Sequence, residues 1–354
     1  MAVHALIVGC AGPRLEADEI AFLRDADPWG LILFRRNCVD PDQVRALVAE
    51  FRAVVGRDDA PVLIDQEGGR VQRLRPPHWP KYPASRVYAS LAANDPLAAR
   101  ELARLGARLM SHDLKELGIT VDCLPVLDVP VPGSHDIIGD RAYGASPGQV
   151  ALLGRAAAEG LLAGGVLPVI KHIPGHGRAV IDSHADLPVV SASRDELEAW
   201  DFMPFRTLTD MPLAMTAHVV YSAIDPRRPA TTSRTVMRDI VRGAIGYGGL
   251  VMTDDLSMNA LAGSLPERAR ASIRAGCDIV LHCNGTVAEM IAVAAQTPKL
   301  AGKAAWRAEA ALDRIRHAPE PFDVAEARAR FAAGLERVQA QSSTAFAATH
   351  ALSV

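Results

Sequence analysis

The sequence predicts an α/β protein built as a single (β/α)8 barrel. Short runs of apolar residues recur along the chain, each is followed by an amphipathic helical pattern, and the runs number eight. Strands that are apolar along their whole length are typical of parallel sheets, because both faces of such sheets are covered. Eight of these strands, alternating with helices and without an intervening linker, favour a closed barrel.

The elements follow one another in the order that a barrel requires. The predicted strands cover residues 5–10, 30–34, 61–65, 121–129, 166–172, 213–221, 249–255 and 278–283. After the second strand, "DPDQVRALVAEFRAVVG" begins with Asp-Pro and ends with Gly, which are helix start and stop signals. The segments "TSRTVMRDIVRGAIG" and "PERARASIRAG" have the same character. An open doubly wound sheet is the alternative, but "GCAGPRLEADE" after the first strand lacks the GxGxxG of that fold.

The chain of 354 residues is expected to form one catalytic domain over residues 1–340. Residues 341–354, "QSSTAFAATHALSV", are expected to be a loosely attached tail.

Composition gives no support for nucleic acid or a membrane as the main partner. The chain is 49% hydrophobic and 22% charged with a formal net charge of −3, values of an ordinary folded protein that give no electrostatic reason to bind nucleic acid or a membrane surface. Its five cysteines are scattered and form no CxxC pair, which favours a reducing cytoplasm. The opening "MAVHALIVGCAG" predicts a strand rather than a signal peptide, and no apolar run is long enough to span a membrane.

Charged residues cluster where five of the predicted strands end. Because the carboxyl ends of barrel strands surround the active site, we expect these residues to form one site. The alternative is that they only solvate the rim of the barrel. The residues are Asp65, Glu67, Asp128, Arg141, Lys171, His172, His218, Asp254 and Asp255.

The segment "IDQEGGRVQRLR" after the third strand predicts a ligand-binding turn. Asp65 and Glu67 are two residues apart and share a face of an extended chain. A carboxylate accepts hydrogen bonds from sugar hydroxyls, and an arginine supplies paired donors. We expect Asp65 and Arg73 to bind a ligand. For Glu67 and Arg70, a buried ion pair that shapes the loop is an equal alternative.

Two further segments carry candidate groups. Arg141 in "GDRAYG" is either a ligand clamp, a helix cap or the partner of Asp140. In "VMTDDLSM", Asp254 and Asp255 are adjacent, so that only one can point to the barrel axis, and parity does not say which. An aspartate there could be a nucleophile, a general base or a metal ligand.

The segment "KHIPGHGRAVIDSHADLP", residues 171–188, is rich in titratable groups. Asp182 precedes His184 by two residues, so in a turn the carboxylate can fix the tautomer of the imidazole and raise its basicity. An imidazole titrates near ~6.5 and can both give and take a proton. Gly175 and Gly177 predict an exposed, mobile loop.

Seven segments together resemble glycoside hydrolase family 3, in particular its bacterial β-N-acetylglucosaminidases, over about residues 3–315. The resemblance implies a single-domain barrel that hydrolyses terminal β-linked N-acetylglucosamine with retention, acts in the cytoplasm and needs no metal or other cofactor. We also expect a monomer. The implied substrate is N-acetylglucosamine linked β-1,4 to 1,6-anhydro-N-acetylmuramic acid, with or without a peptide, in peptidoglycan recycling. The segments are "IDQEGGRVQR", "PVLDV", "GDRAYG", "KHIPGHG", "DSHADLP", "MTAHVVYSAID" and "MTDDLSM".

The resemblance also implies roles for individual residues. Asp254 matches the nucleophile, His184 the acid/base and Asp182 the residue that orients it. His176 and His218 lie in matching motifs without an implied chemical step. The residues that match sugar-binding positions are Asp65, Arg73, Arg141, Lys171 and His172. A departure occurs at Arg178, where relatives often have Asp.

Two other classes of protein remain open. A metal-dependent barrel hydrolase could use His172, His176, His184, His218 and Asp254, although the first strand lacks the HxH pair common in that class. A non-catalytic sugar-binding barrel is the other alternative, although it would be expected to lose Asp254 or His184, and both are present.

Overall fold

The computed structural model describes residues 3–351, with side chains for residues 3–340, and contains the predicted barrel. Its strands are β1 (His4–Val8), β2 (Pro28–Leu33), β3 (Val62–Ile64), β4 (Val121–Asp122), β5 (Leu167–Ile173), β6 (Leu213–Thr216), β7 (Leu250–Asp255) and β8 (Ile279–His282). They are all parallel and close in the order β1-β8-β7-β6-β5-β4-β3-β2. Each predicted segment overlaps one of these strands, which confirms the fold class.

Helices follow the strands and cover the outside of the barrel. They are α1 (Ala17–Ala26), α2 (Pro41–Val55), α3 (Ser85–Ala92), α4 (Pro96–Lys115), α5 (Pro147–Ala163), α6 (Arg194–Ala199), α7 (Met203–Thr207), a π-helix (Val236–Ala244), α8 (Leu265–Ala275), α9 (Val287–Ala294), α10 (Gly302–Asp313) and α11 (Val324–Ala351). In α2, the Asp40 side chain accepts from the Gln43 amide, Pro41 is the first residue, and Gly56 ends the helix at φ 66°. The start and stop signals in the sequence are therefore confirmed there.

Apolar side chains fill the barrel. Ile7, Leu63, Val169 and Met252 belong to one buried cluster, which consists mainly of strand residues and also includes residues of α10. Separate clusters lie between the strands and the helices. This covering of both strand faces explains why the strands are apolar throughout.

Two predicted strands are shorter in the structure. The segment 121–129 pairs regularly only at Val121–Asp122, and beyond it Pro125 has no amide hydrogen to extend the ladder. The segment 213–221 divides into β6 and a separate Val220–Tyr221, which pairs with Val189–Val190. The shortened fourth strand and the divided sixth strand leave irregular backbone at the end of the barrel where the polar residues lie.

The division into a domain of residues 1–340 and a tail of 341–354 stays a prediction. The backbone of α11 crosses this boundary. The side chains from residue 341 onward and the whole of residues 352–354 lie outside the described part of the chain. Within the described part of the chain, no helix combines the length and the apolarity needed to cross a membrane.

Candidate active site

A pocket of about 360 Å³ opens at the carboxyl ends of the strands. Because all eight strands are parallel, their carboxyl ends meet at this face. Asp182 does not line the pocket itself but contacts a residue that does. Of the predicted site residues, those that line it are Asp65, Arg73, Arg141, Lys171, His172, His184 and Asp254.

The floor of the pocket is a network of ion pairs between two carboxylates and three cations, which we call the ionic floor. Asp65 lies 2.9 Å from the Arg73 guanidinium and 3.0 Å from Lys171 Nζ. Glu67 lies 2.7 Å from the same Nζ and accepts two hydrogen bonds of 2.8 Å from Arg141. Each carboxylate is thus shared by two cations, and Lys171 joins the two halves.

The ionic floor keeps its groups charged. Burial works to raise the pKa of Glu67, but Arg141 and Lys171 outweigh it and lower that pKa to about 2. The pKa of Asp65 is lowered in the same way by Lys171 and Arg73, against burial. Burial would lower the pKa of Lys171, but Glu67 and Asp65 raise it. The floor therefore carries three positive and two negative charges at neutral pH.

A tight hairpin after β3 positions Glu67. Residues Gln66–Gly68 pair with Val71–Gln72, and the turn needs positive φ angles at Gly68 (89°) and Gly69 (57°). A Cβ on Gly68 would lie 2.2 Å from the Pro83 carbonyl oxygen, so no other residue fits there. The glycines predicted to make a turn thus place Glu67 beside Arg141.

The contacts of this region distinguish the predicted alternatives. Glu67 is part of an ion-paired network, as one alternative held, and it also lines the pocket. Arg141 pairs with Glu67, whereas Asp140 lies 3.0 Å from Arg70. Arg70 also binds carbonyl oxygens of the loop that precedes Arg141, at Ile137 and Ile138. It therefore supports the loop that carries Arg141.

Asp128 orients His172 toward the pocket, a connection that the sequence did not reveal. One carboxylate oxygen lies 2.6 Å from His172 Nδ1, and the other accepts from the backbone amide of His176 at 2.6 Å. The other ring nitrogen of His172, Nε2, lies 4.0 Å from Asp254 Oδ2. A carboxylate on Nδ1 fixes the tautomer and aims Nε2 at the pocket. The sequence did offer one indication of this role, because Asp128 lies in "PVLDV", where a predicted strand ends at the active-site face.

The adjacent aspartates of β7 have different surroundings. Asp255 is engaged by Ser257, by the Cys283 amide at 3.0 Å and by Asn284. Asp254 accepts a hydrogen bond from the backbone amide of Asp255, and its carboxylate faces His172. Burial works to raise the pKa of Asp254, but His172 and the other neighbouring histidines outweigh it and lower that pKa. Asp254 is therefore an ionised group left available to a ligand.

Asp182 and His184 form the predicted dyad on a turn. Asp182 Oδ1 lies 2.8 Å from His184 Nδ1 and also accepts from the His184 amide at 2.9 Å. The side chain of His184 is 63% exposed. Burial works to raise the pKa of Asp182, but the hydrogen bonds from His184 lower it. With Nδ1 engaged, Nε2 is the nitrogen that can exchange a proton with a ligand.

The loop that carries this dyad is only partly exposed, contrary to the prediction. Residues 171–177 are buried, whereas Val180 and Ile181 are exposed. A Cβ on Gly177 would lie 2.1 Å from the Val129 carbonyl oxygen, and one on Gly175 would lie 2.9 Å from Asp201. The two glycines are thus required because neighbouring backbone packs too closely for a side chain. The sequence suggested that they make the loop mobile, whereas they allow it to pack tightly.

Arg178 stands between the buried and the exposed part of this loop and has a buried partner. Its Nε lies 2.6 Å from Asp201 Oδ2, and Asp201 is 1% exposed. Burial raises the pKa of Asp201 to about 6, although Arg178 acts in the opposite direction. The ion pair fixes the start of the exposed part to the segment between α6 and α7.

The remaining histidines of the predicted cluster have structural partners. His176 Nε2 lies 3.0 Å from Ser183 Oγ, which connects the two halves of the loop. His218 is buried between Thr231 (2.7 Å) and the Asp255 carbonyl oxygen (3.0 Å) and does not line the pocket. Over the side chains of residues 3–340, no three His, Cys, Asp or Glu residues come together in an arrangement that could hold a metal ion.

Known proteins resemble this chain over most of its length. The model of the glycosyl hydrolase family 3 N-terminal domain matches residues 5–317. The β-hexosaminidase of Alkalilimnicola ehrlichii is 42% identical over 288 residues, which are 80% of this chain and 82% of that protein. That of Aromatoleum aromaticum is 37% identical over 322 residues, 90% and 89% of the two chains.

Solved structures agree with the sequence comparisons. NagZ from Neisseria gonorrhoeae, in complex with N-trifluoroacetyl-D-glucosamine, superimposes with a TM-score of 0.82 and 33% identity, over 96% of this chain and 98% of that one. The chain therefore belongs to glycoside hydrolase family 3, and it is an enzyme of the β-N-acetylhexosaminidase group of that family.

Proposed function

We propose that this protein is a retaining exo-β-N-acetylglucosaminidase in which Asp254 is the nucleophile and His184 the acid/base. The observation that carries the proposal is that one pocket contains both an ionised, partly buried carboxylate and an imidazole bound at Nδ1 by Asp182. Retaining glycosidases need a nucleophile and a proton donor at the same glycosidic bond.

The first step forms a covalent glycosyl-enzyme. The Asp254 carboxylate attacks the anomeric carbon, the bond to the leaving oxygen breaks, and that oxygen takes the proton from His184 Nε2. Asp182 holds the ring and stabilises the imidazolium before transfer. In the second step His184 takes a proton from water, and the water oxygen displaces Asp254 from the anomeric carbon.

The ionic floor and His172 would hold the sugar. Lys171, Arg73 and Arg141 supply donors, and Asp65 supplies acceptor oxygens, to hydroxyl and N-acetyl groups. Because these groups already hold one another in place, little side-chain freedom is lost when the sugar binds. The pocket of about 360 Å³ is at the lower end of the ~300–1,000 Å³ typical of ligand pockets, which favours one terminal sugar.

The proposed substrate is N-acetylglucosamine linked β-1,4 to 1,6-anhydro-N-acetylmuramic acid, with or without a peptide, and the proposed role is peptidoglycan recycling in the cytoplasm. The structural relative that binds N-trifluoroacetyl-D-glucosamine supports the choice of sugar. Five buried, free cysteine thiols suit a reducing compartment. We propose that the protein acts as a monomer, without a metal, and that it binds neither nucleic acid nor membranes.

The experiment that tests the reaction compares an aryl β-N-acetylglucosaminide with the matching aryl β-glucoside, each with and without a chelator. We expect hydrolysis of the first alone, the same rate with the chelator, and the β-anomer as first product in proton NMR. The α-anomer as first product would contradict retention. Activity that is lost with the chelator and restored by Zn²⁺ would support a metal-dependent hydrolase, and no hydrolysis would support a binding protein.

The identity of the natural substrate needs a separate measurement. We expect the enzyme to release N-acetylglucosamine from a 1,6-anhydro-muropeptide and to leave internal bonds of a longer glycan uncut, because the pocket accepts one terminal sugar. Cleavage within the chain of a glycan, detected by mass spectrometry, would contradict the exo mode of action.

A further inference from the structure

A second cavity, of about 600 Å³, lies beside the catalytic pocket and is lined by arginines. We call it the arginine groove. Its single acidic residue is Glu267. Six arginines and one acidic residue thus line the groove, in a chain whose formal net charge is −3. The arginines are Arg227, Arg228, Arg234, Arg268, Arg270 and Arg274.

Over the described side chains, five of the six guanidinium groups form no hydrogen bond and no ion pair. Arg268 donates to the carbonyl oxygens of Leu256 and Met258 and supports the backbone there. Glu267 is held by Ser264 at the start of α8. The other five arginines are exposed, and over the described side chains none of their guanidinium groups lies within 4.0 Å of a carboxylate, although the backbone amide of Arg227 donates to Asp225.

Such a cluster is unfavourable unless an anion is present. Arg270 and Arg274 stand four residues apart on α8, where two like charges destabilise a helix. Guanidinium groups in a cleft create a positive potential that attracts anions, and their forked donors match carboxylate and phosphate oxygens. The groove is therefore suited to a ligand with more than one negative charge.

The arginine groove begins at the loop that carries the proposed proton donor. Leu187, three residues after His184, lines the groove. The Ala260 amide donates to the Ser183 carbonyl oxygen at 3.2 Å. Ala260 lines the groove, whereas Ser183 and Met258 line the catalytic pocket. The hydrogen bond between Ala260 and Ser183 thus lies at the boundary between the arginine groove and the catalytic pocket.

We propose that the arginine groove binds carboxylates carried by the leaving-group part of the substrate. This inference rests on the proposed function, because the residue that protonates the leaving oxygen lies on the side of the leaving group. A leaving sugar that carries an acidic peptide extends past His184 toward Leu187 and places its carboxylates among the exposed arginines. The groove then selects substrates by the charge of the peptide on the leaving sugar, which takes no part in the reaction.

The test compares two substrates on the same enzyme, so that losses of folded protein cancel. The probes are N-acetylglucosamine linked β-1,4 to a 1,6-anhydro-N-acetylmuramoyl peptide with free carboxylates, and the same compound with every carboxylate amidated. For the wild type, we expect kcat/KM to be about ten-fold higher with the acidic substrate at low salt, and the ratio to fall with added salt.

The double variant Arg270→Gln, Arg274→Gln should lower this ratio at least about five-fold, since both side chains are exposed and each contributes an ion pair of modest strength. The matched control is Arg24→Gln, an exposed arginine on α1, which should keep the wild-type ratio. A wild-type ratio near one, or a ratio unchanged in the double variant, would overturn the proposal.

Two further measurements distinguish a phosphate site from a failure of the proposed function. Inorganic phosphate is the alternative ligand of the groove. It is identified as the ligand if it inhibits cleavage of both substrates equally in the wild type and inhibits the double variant less. The kcat/KM ratio of the acidic to the amidated substrate would then be near one. That result would overturn the proposal. An enzyme that cleaves neither probe nor an aryl β-N-acetylglucosaminide contradicts the proposed function, whereas cleavage without a charge preference contradicts the groove alone.

Discussion

The ionic floor and the loop that carries His184 face the same pocket but differ in burial and in the number of their partners. Lys171 is 2% exposed and sits between two carboxylates, whereas the His184 side chain is 63% exposed and has one side-chain partner. The floor is fixed before a ligand arrives, as sugar binding requires, and the imidazole can reach solvent, as exchange of a proton with water requires. In the proposed reaction, differently built regions would thus serve different steps.

The largest effect is expected at Asp254, which lines the same pocket as both regions. We expect Asp254→Asn to lower kcat about 10⁴-fold or more, since an amide is a poor nucleophile. Binding of N-acetylglucosamine, measured by calorimetry, should change little because the floor is intact. A variant with near-wild-type turnover would contradict the assignment.

Replacing a carboxylate of the floor should reduce stability more than any change in the exposed loop. Glu67→Gln leaves Arg141 and Lys171 buried with one carboxylate fewer, which we expect to lower the free energy of unfolding by about 3 kcal/mol. Urea unfolding measures it, with His184→Ala as the control that should stay within about 0.5 kcal/mol. Equal losses in the two variants would remove the distinction between the regions.

Replacing the imidazole should affect catalysis selectively. We expect His184→Ala to lower kcat/KM about 100-fold for substrates with poor leaving groups, and much less for activated aryl glycosides, which need little protonation. A set of aryl β-N-acetylglucosaminides with leaving groups of different pKa measures the contrast. A uniform loss across the set would argue against a role as acid.

The smallest effect concerns pH and the buried His176. Burial lowers the pKa of His176 to about 4, so its folded-state pKa lies below the ~6.5 of the unfolded chain. The unfolded state then binds more protons between these values, and stability falls by about 2 kcal/mol from pH 7 to pH 5. The pKa values of His218 and His282 are also lowered by burial and act in the same direction.

His176→Asn should make the unfolding free energy less dependent on pH over this range, because it removes a buried imidazole whose pKa is lowered by burial. Urea titrations at pH 7 and pH 5 compare this variant with the wild type. An unchanged slope in His176→Asn would show that other groups control the acid sensitivity.

The strands were predictable from the sequence because burial on both faces leaves an apolar run that is visible in the local pattern. The partners of charged residues were not. Asp140 is adjacent to Arg141 in the chain, yet Arg141 binds Glu67, 74 residues away, because closure of the barrel brings their strand ends together. Likewise Gly177 suggested freedom of the backbone, whereas it permits contact with Val129, a neighbour that only the fold supplies.

The two fixed ends of the exposed segment, the Arg178–Asp201 ion pair and the Val189–Val190 strand, limit where the proposed proton donor can lie. The exposed segment begins at this ion pair and ends at Val189–Val190, which pairs with Val220–Tyr221. His184 is five residues from Val189, so its Cα cannot lie farther than about 18 Å from that residue in any conformation, given ~3.6 Å of reach per residue. Within that radius the length of the segment, rather than the ionic floor, determines how large a leaving group fits beneath the imidazole. Insertions between residues 179 and 188 would therefore alter the choice of leaving group while the recognition of the terminal sugar stays the same.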